Sequence, residues 1–247
     1  MRTKTLLIAS AVALTAAVTS VQAQTVYSQN IVGYVNTVFP SAYASYFVTA
    51  PLVGTNEAAD TLMASSLQPF DDILIWNGGG YNLFTYVGPG GNEPQSADTW
   101  DDANGNPVNA PNIAPGEGFF YQTFSGNAET NTWTGTAVLS NQVALASAYA
   151  SYAVASSVPI AGVLDTTNGL NLPLQPFDDV LVWNGGGYDL YTYVGVGGNE
   201  PQSADTWDDA NGNPVNSPSI NVGQAFFYQT FSGSSETWTQ NDSYINP

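Results

Sequence analysis

Ile73-Leu74-Ile75-Trp76-Asn77-Gly78-Gly79-Gly80-Tyr81-Asn82-Leu83-Phe84-Thr85-Tyr86-Val87 reads as two β-strands joined by a turn. The β-branched and aromatic residues on either side favour extended backbone, and the Asn77-Gly78 pair offers the positive φ angles that a tight turn needs. The hairpin returns 107 positions later as Val180 to Val194. Across residues 68–109 and 175–216 only five positions differ: Ile73/Val180, Ile75/Val182, Asn82/Asp189, Phe84/Tyr191 and Pro89/Val196.

The likeness extends outward in both directions. Phe119-Phe120-Tyr121-Gln122-Thr123-Phe124 becomes Phe226-Phe227-Tyr228-Gln229-Thr230-Phe231, and residues 41–46 return as residues 147–152. Two homologous modules follow from this, residues 24–140 and 141–247, joined within 138–146 and preceded by a leader of residues 1–23. Further strands are expected at residues 31–38, 46–52, 119–124 and 132–139 from their β-branched and aromatic content. Residues 56–67 hold at most a short helical turn, because the counterpart Asp165-Thr166-Thr167-Asn168-Gly169 breaks helices. Short strands separated by Gly, Pro and Asn predict an all-β fold with a small sandwich or barrel in each module.

The substitutions also assign faces. Ile to Val at positions 73 and 75 preserves one apolar side of a strand, the behaviour of a core face. Asn82/Asp189 and Phe84/Tyr191 share a side of the next strand with Tyr86 and Tyr193. A carboxylate and a hydroxyl added without a cationic partner need water, so this aromatic face is expected at the surface.

Residues 1–23 have the order of a secretory signal: Arg2 and Lys4, an apolar run from Leu6 to Val18, then Val21-Gln22-Ala23. Cleavage near Ala23 and export to the periplasm or beyond are expected. No later stretch is apolar enough to span a bilayer as a helix. Arg2 and Lys4 are the only cationic side chains, against 20 Asp and Glu, with no His and no Cys. Their loss on processing takes the formal charge from −18 to about −20. The processed chain therefore has no triad built on His or Cys, no Schiff base and no imidazole or thiolate metal ligand. It also lacks the electrostatic term of nucleic-acid binding. A hydrophobic content of 43%, with 14 Tyr, 11 Phe and 6 Trp, supports a packed core without disulfides and argues against disorder.

The acidic stretch from Asn92 to Asn106 is copied without change at residues 199–213. Asp98, Asp101, Asp102, Asn104 and Asn106, with Asp205, Asp208, Asp209, Asn211 and Asn213 in the copy, supply the hard oxygen donors that Ca2+ prefers. The spacing is not that of an EF-hand, since Trp100 stands at the first ligand position when Gly105 takes the sixth. Asx turns account for the same residues as a surface loop bonded to its own backbone. Trp100 and Trp207, with Tyr86 and Tyr193, are candidate rings for packing on a sugar face beside Asp and Asn, which would make a polysaccharide the partner. The other reading is that each Trp anchors its loop onto the core.

For catalysis only paired carboxylates remain, in the manner of a glycoside hydrolase. Nearly every carboxylate stands in a stretch that exists twice, whereas a cleft uses two different residues in one place. A non-catalytic structural or binding component outside the cell, calcium-stabilised, is the reading adopted, with carbohydrate binding as alternative and a carboxylate glycosidase as second alternative. Self-association through β edges is a further expectation: if each module needs a strand from the next, the second is left open to another molecule's N-terminal strand. Otherwise each first strand closes its own module.

Three stretches carry a resemblance: Val26 to Val35 after the leader, Trp76-Asn77-Gly78-Gly79-Gly80-Tyr81, and Pro115-Gly116-Glu117-Gly118-Phe119-Phe120. Together they resemble a group of uncharacterised bacterial secreted β-repeat proteins with a V-x-G-Y-V strand, a W-N-G-x-G-Y turn and a P-G-E-G-F-F strand. The resemblance implies secretion and β modules, and no activity. Module two departs at Asn221-Val222-Gly223-Gln224-Ala225, where Gln224 replaces Glu117.

Overall fold

In the computed structural model the hairpin is formed by β3 (Asp72–Trp76) and β4 (Tyr81–Tyr86), with Trp76 opposite Tyr81 and Asp72 opposite Thr85. The residues described are 31–88, 100–124, 126–145, 149–165, 169–195, 207–231 and 235–241. The expected leader and its expected cleavage point near Ala23, and Asp98 and Asp205, lie outside them. The turn differs from the expected tight one. Only Gly78, at φ +94°, takes positive φ, and Asn77 acts through its side chain, whose Oδ1 accepts the Gly79 and Gly80 N–H groups at 3.1 and 2.9 Å.

The hairpin sits in the middle of a six-stranded antiparallel sheet. Its order is β2 (Ser45–Val48), β7 (Phe119–Gln122), β3, β4, β5 (Trp100–Asp102), β6 (Pro107–Val108). Over one face lies a ribbon of β1 (Val32–Phe39) and β8 (Glu129–Thr136), which places Val35, Phe39 and Trp133 on Ile73, Trp100, Phe119 and Tyr121. The short helix α1 (Ala59–Leu62) closes that core with Ala59, Leu62 and Met63.

Module two repeats the plan. A ribbon of β9 (Ser140–Leu145) and β18 (Glu236–Asn241) faces a sheet ordered β10 (Ser151–Ala155), β17 (Ala225–Gln229), β12 (Asp179–Trp183), β13 (Tyr188–Tyr193), β14 (Trp207–Asp209), β15 (Pro214–Val215). A two-residue pairing of β11 (Gly162–Val163) with β16 (Ser219–Ile220), together with Leu164, Leu170 and Leu172, stands in place of the helix. The fold is all-β, with two small sandwich-like modules. Each first strand closes its own module, since β1 pairs with β8 and β9 with β18, so module two does not wait for a strand from elsewhere.

Strand β8 begins three residues before the expected 132–139. Its inward positions include Glu129 and Asn131, both buried, and polar residues facing a core are not recognised by a pattern that assigns polarity to the outside. Asn131 is satisfied there: its Nδ2 donates to Leu62 O at 3.0 Å and its Oδ1 accepts the Ser65 hydroxyl at 2.7 Å.

The aromatic face of the hairpin is also corrected. Asn82 and Asp189 are exposed, but Phe84, Tyr86, Tyr191 and Tyr193 pack against their module cores. The opposite face is covered as well, because the two modules belong to one compact unit and meet through it. Phe47, Phe120, Leu74 and Trp76 of module one pack with Ala153, Ala155, Phe227, Leu181 and Trp183 of module two. Phe47 lies stacked between Phe120 at 4.6 Å and Phe227 at 5.0 Å. The contacts are reciprocal: Trp76 Nε1 donates to Ser151 O at 2.9 Å, and Trp183 Nε1 to Ser45 O at 2.8 Å. With both faces buried, a hydroxyl on Tyr191 reaches water only at the end of a half-buried ring.

Candidate functional site

The acidic segment enters the sheet as β5. Side chains alternate along a strand, so Asp101 and Asp102 point to opposite faces and cannot hold one ion together. Asp102 ends the strand and opens the following turn. Its Oδ1 accepts the N–H groups of Asn104 at 2.8 Å and Asn106 at 2.9 Å, and the Asn106 side-chain amide reaches Oδ1 and Oδ2 at 3.2 and 3.0 Å. Asp209 makes the same bonds with Asn211 and Asn213. These donors hold the Asp102 carboxyl below the usual aspartate value and bring Asp209 down to about 2, the Asn213 side chain contributing most. Among the described residues no group of three or more Asp and Glu is placed to hold a metal ion. The turn donors fill most of the lone pairs of Asp102, leaving room for a cation on one oxygen only.

Asp101 instead joins a polar row across the sheet: Ser45, Gln122, Asp72, Thr85 and Asp101 are successive cross-strand partners. Gln122 Nε2 donates to Ser45 Oγ at 2.8 Å, and the Thr85 hydroxyl donates to Asp72 at 2.6 Å. Module two repeats the row as Ser151, Gln229, Asp179, Thr192 and Asp208. Burial pushes the carboxyls of Asp72 and Asp179 upward, against the pull of their threonine hydroxyls.

The tryptophans of these segments are core residues. Trp100 and Trp207 are 0% exposed, and Tyr86 and Tyr193 each pack on them at 5.2 Å between ring centroids. None of the four rings is presented flat to solvent as a sugar platform, because opening β5 onto the sheet turns the first residue of each strand inward. Trp207 Nε1 donates to Asp165 at 2.8 Å.

Sequence reasoning did not recognise Asp71 as part of a buried polar cluster. Asp71 is 0% exposed and accepts three bonds: Gln68 N–H at 2.8 Å, Phe124 N–H at 2.9 Å and the Tyr121 hydroxyl at 2.5 Å. The same hydroxyl lies 2.5 Å from Glu129 Oε2, so two carboxylates flank one tyrosine oxygen. In module two Tyr228 contacts Asp178, and Glu236 at 3.1 Å. Burial first, then the adjoining carboxylates, pushes both phenols far above their ordinary value. The signal was present in the chain: Asp to Tyr is spaced 50 and Tyr to Glu 8 in both modules, although the sequence around Glu129 and Glu236 differs.

An open cleft of about 540 Å3 lies where the modules meet, lined on one side by Thr37, Ser45 and Tyr46 and on the other by Trp183, Asn184 and the turn Asn221 to Gln224. No Asp or Glu is among the described residues that line it.

No protein-family model matches the chain, and no curated protein or solved structure matches it.

Proposed function

We propose that the protein is an exported, non-catalytic component that acts outside the cell by binding or as a structural element, with calcium among the cations that neutralise its acidic loops. One observation carries the reading. The buried carboxylates are spent on holding loops, in duplicate: Asp71 and Asp178 each tie a preceding turn, a following strand end and a tyrosine. Asp71 and Glu129, the carboxylates closest to the pairing a glycosidase needs, are 0% and 8% exposed and share a tyrosine between them, which leaves no room for a sugar and a water. Calcium is proposed as a loosely held ion on single carboxylate oxygens of Asp101, Asp102, Asp208 and Asp209, in place of a closed cage. Incubation of the mature chain with a panel of polysaccharides is expected to release no more reducing ends than buffer does. Release that Glu129→Gln abolishes would overturn the non-catalytic reading.

A further inference from the structure

The two halves of the inter-module contact are related by sequence but not identical, and the cleft lies on the side where they differ. Gly118 and Ala225 occupy equivalent positions and meet each other: a Cβ on Gly118 would stand 2.9 Å from the Ala225 Cβ and 3.1 Å from Ala153 C. Alanine at both positions would clash, so the repeat cannot be symmetric here. On the Gly118 side the modules close tightly, with Gly118 N donating to Ala153 O at 3.0 Å and Ala155 N to Gly116 O at 2.9 Å. On the other side Thr49 N donates to Gly223 O at 3.0 Å, the counterpart of the second bond, and Val48 bridges Gln224 as Val154 bridges Glu117. Phe47 stands where module two has Ala153, and its ring stacks between Phe120 and Phe227.

We infer that this cleft between the modules binds a neutral oligosaccharide. The volume lies within the ~300–1,000 Å3 usual for small-ligand clefts. Its lining offers hydroxyls and amides from Thr37, Ser45, Asn184, Asn221 and Gln224 beside the rings of Tyr46 and Trp183, with no carboxylate and no cation among the described residues. Polyhydroxylated ligands need that mixture of short-range donors, acceptors and aromatic edges. An anion would meet a strongly negative chain, and a cation would find no ion-pair partner in the cleft. The turn at its floor is adapted accordingly. In module one Glu117 Oε2 accepts the Ala114 N–H at 2.8 Å, and in module two Gln224 Oε1 accepts the Asn221 N–H at 3.0 Å. The same cap is made, but the glutamine removes a charge and adds an amide donor. This cleft is separate from the acidic loops, and the inference does not depend on calcium.

Calorimetric titration of the mature chain, in chelator, with neutral gluco-, xylo- and manno-oligosaccharides tests it, with uronic-acid oligomers as the charged comparison. At least one neutral series is expected to bind. Ser41→Trp crowds the rim from an exposed position whose side chain makes none of the bonds to Tyr46, and Gln224→Glu keeps the turn cap while removing the amide donor. Either variant is expected to weaken binding at least tenfold with an unchanged melting temperature. Failure of every neutral series to bind overturns the inference, as does binding that both variants leave intact or binding confined to the charged oligomers.

Discussion

At the residue scale, this fold solves the burial of carboxylates without a single cationic side chain beyond Arg2 and Lys4. Asp71 is compensated by two backbone N–H groups and a phenol, the kind of donor set that a buried carboxylate requires. Replacing Tyr121 by Phe removes the one group shared by Asp71 and Glu129 and is expected to cost about 1–3 kcal/mol in urea unfolding, as is Tyr228→Phe in the other module. The two losses belong to separate clusters and should add within about 0.5 kcal/mol in the double variant; a neutral Tyr121→Phe would show that the cluster is held together by packing alone. The half-buried pair Asp72 and Asp179 gives a pH dependence whose sign follows from burial. Their folded-state carboxyls are raised above the ordinary 3.8, so the stability they contribute is fully present below that value and is lost as pH rises through the raised one. Asp209 is the opposite case: its contribution is present above 3.8 and lost as pH falls toward about 2. Asp72→Asn and Asp179→Asn, which retain an acceptor for Thr85 and Thr192, are expected to raise stability at pH 7 and to flatten the gain seen between pH 7 and 4. An unchanged pH profile in both would contradict this assignment.

At the element scale the decisive contact is the close approach of the two sheets at Gly118. Gly118→Ala is expected to destabilise by about 1–3 kcal/mol, because a methyl group must fit where Ala225 and the Ala153 backbone already stand. Ala225→Gly in the same chain should restore a large part of that loss, and a double variant no better than the single one would place the strain elsewhere. The hairpins, the repeat and the all-β fold were legible in the sequence because their signals are local: β-branched runs, Asn77-Gly78, and a copy to check them against. The face of the hairpin was not legible, since it is set by the meeting of the two modules. Period-two alternation separates Leu74 and Trp76 from Ile73 and Ile75 but does not say that both sides are covered. Nor could the acidic stretch be resolved from composition: Asp101 and Asp102 are neighbours in sequence, and the strand sends them to different faces, one into the row with Asp72 and the other into its own turn. Glu129 escaped notice because polar residues inside a sandwich look the same, in a sequence, as residues outside it.

At the scale of the whole molecule, two features combine. One is the joined body of two sandwiches, held by reciprocal tryptophan bonds and aromatic packing, with a cleft beside their contact. The other is charge: 20 acidic residues against two cationic ones, Arg2 and Lys4, both within the first four residues. Self-repulsion of that size destabilises the compact state and is relieved from outside, by screening ions or bound ones. The exposed carboxylates of Asp102 and Asp209, held ionised by their turns, are where such ions would gather. Thermal unfolding of the mature chain in a few millimolar calcium, against chelator with sodium chloride at matched ionic strength, measures this most directly. A higher melting temperature in calcium is expected, reduced by Asp102→Asn with Asp209→Asn; coincident melting curves in the two solutions would overturn the calcium reading.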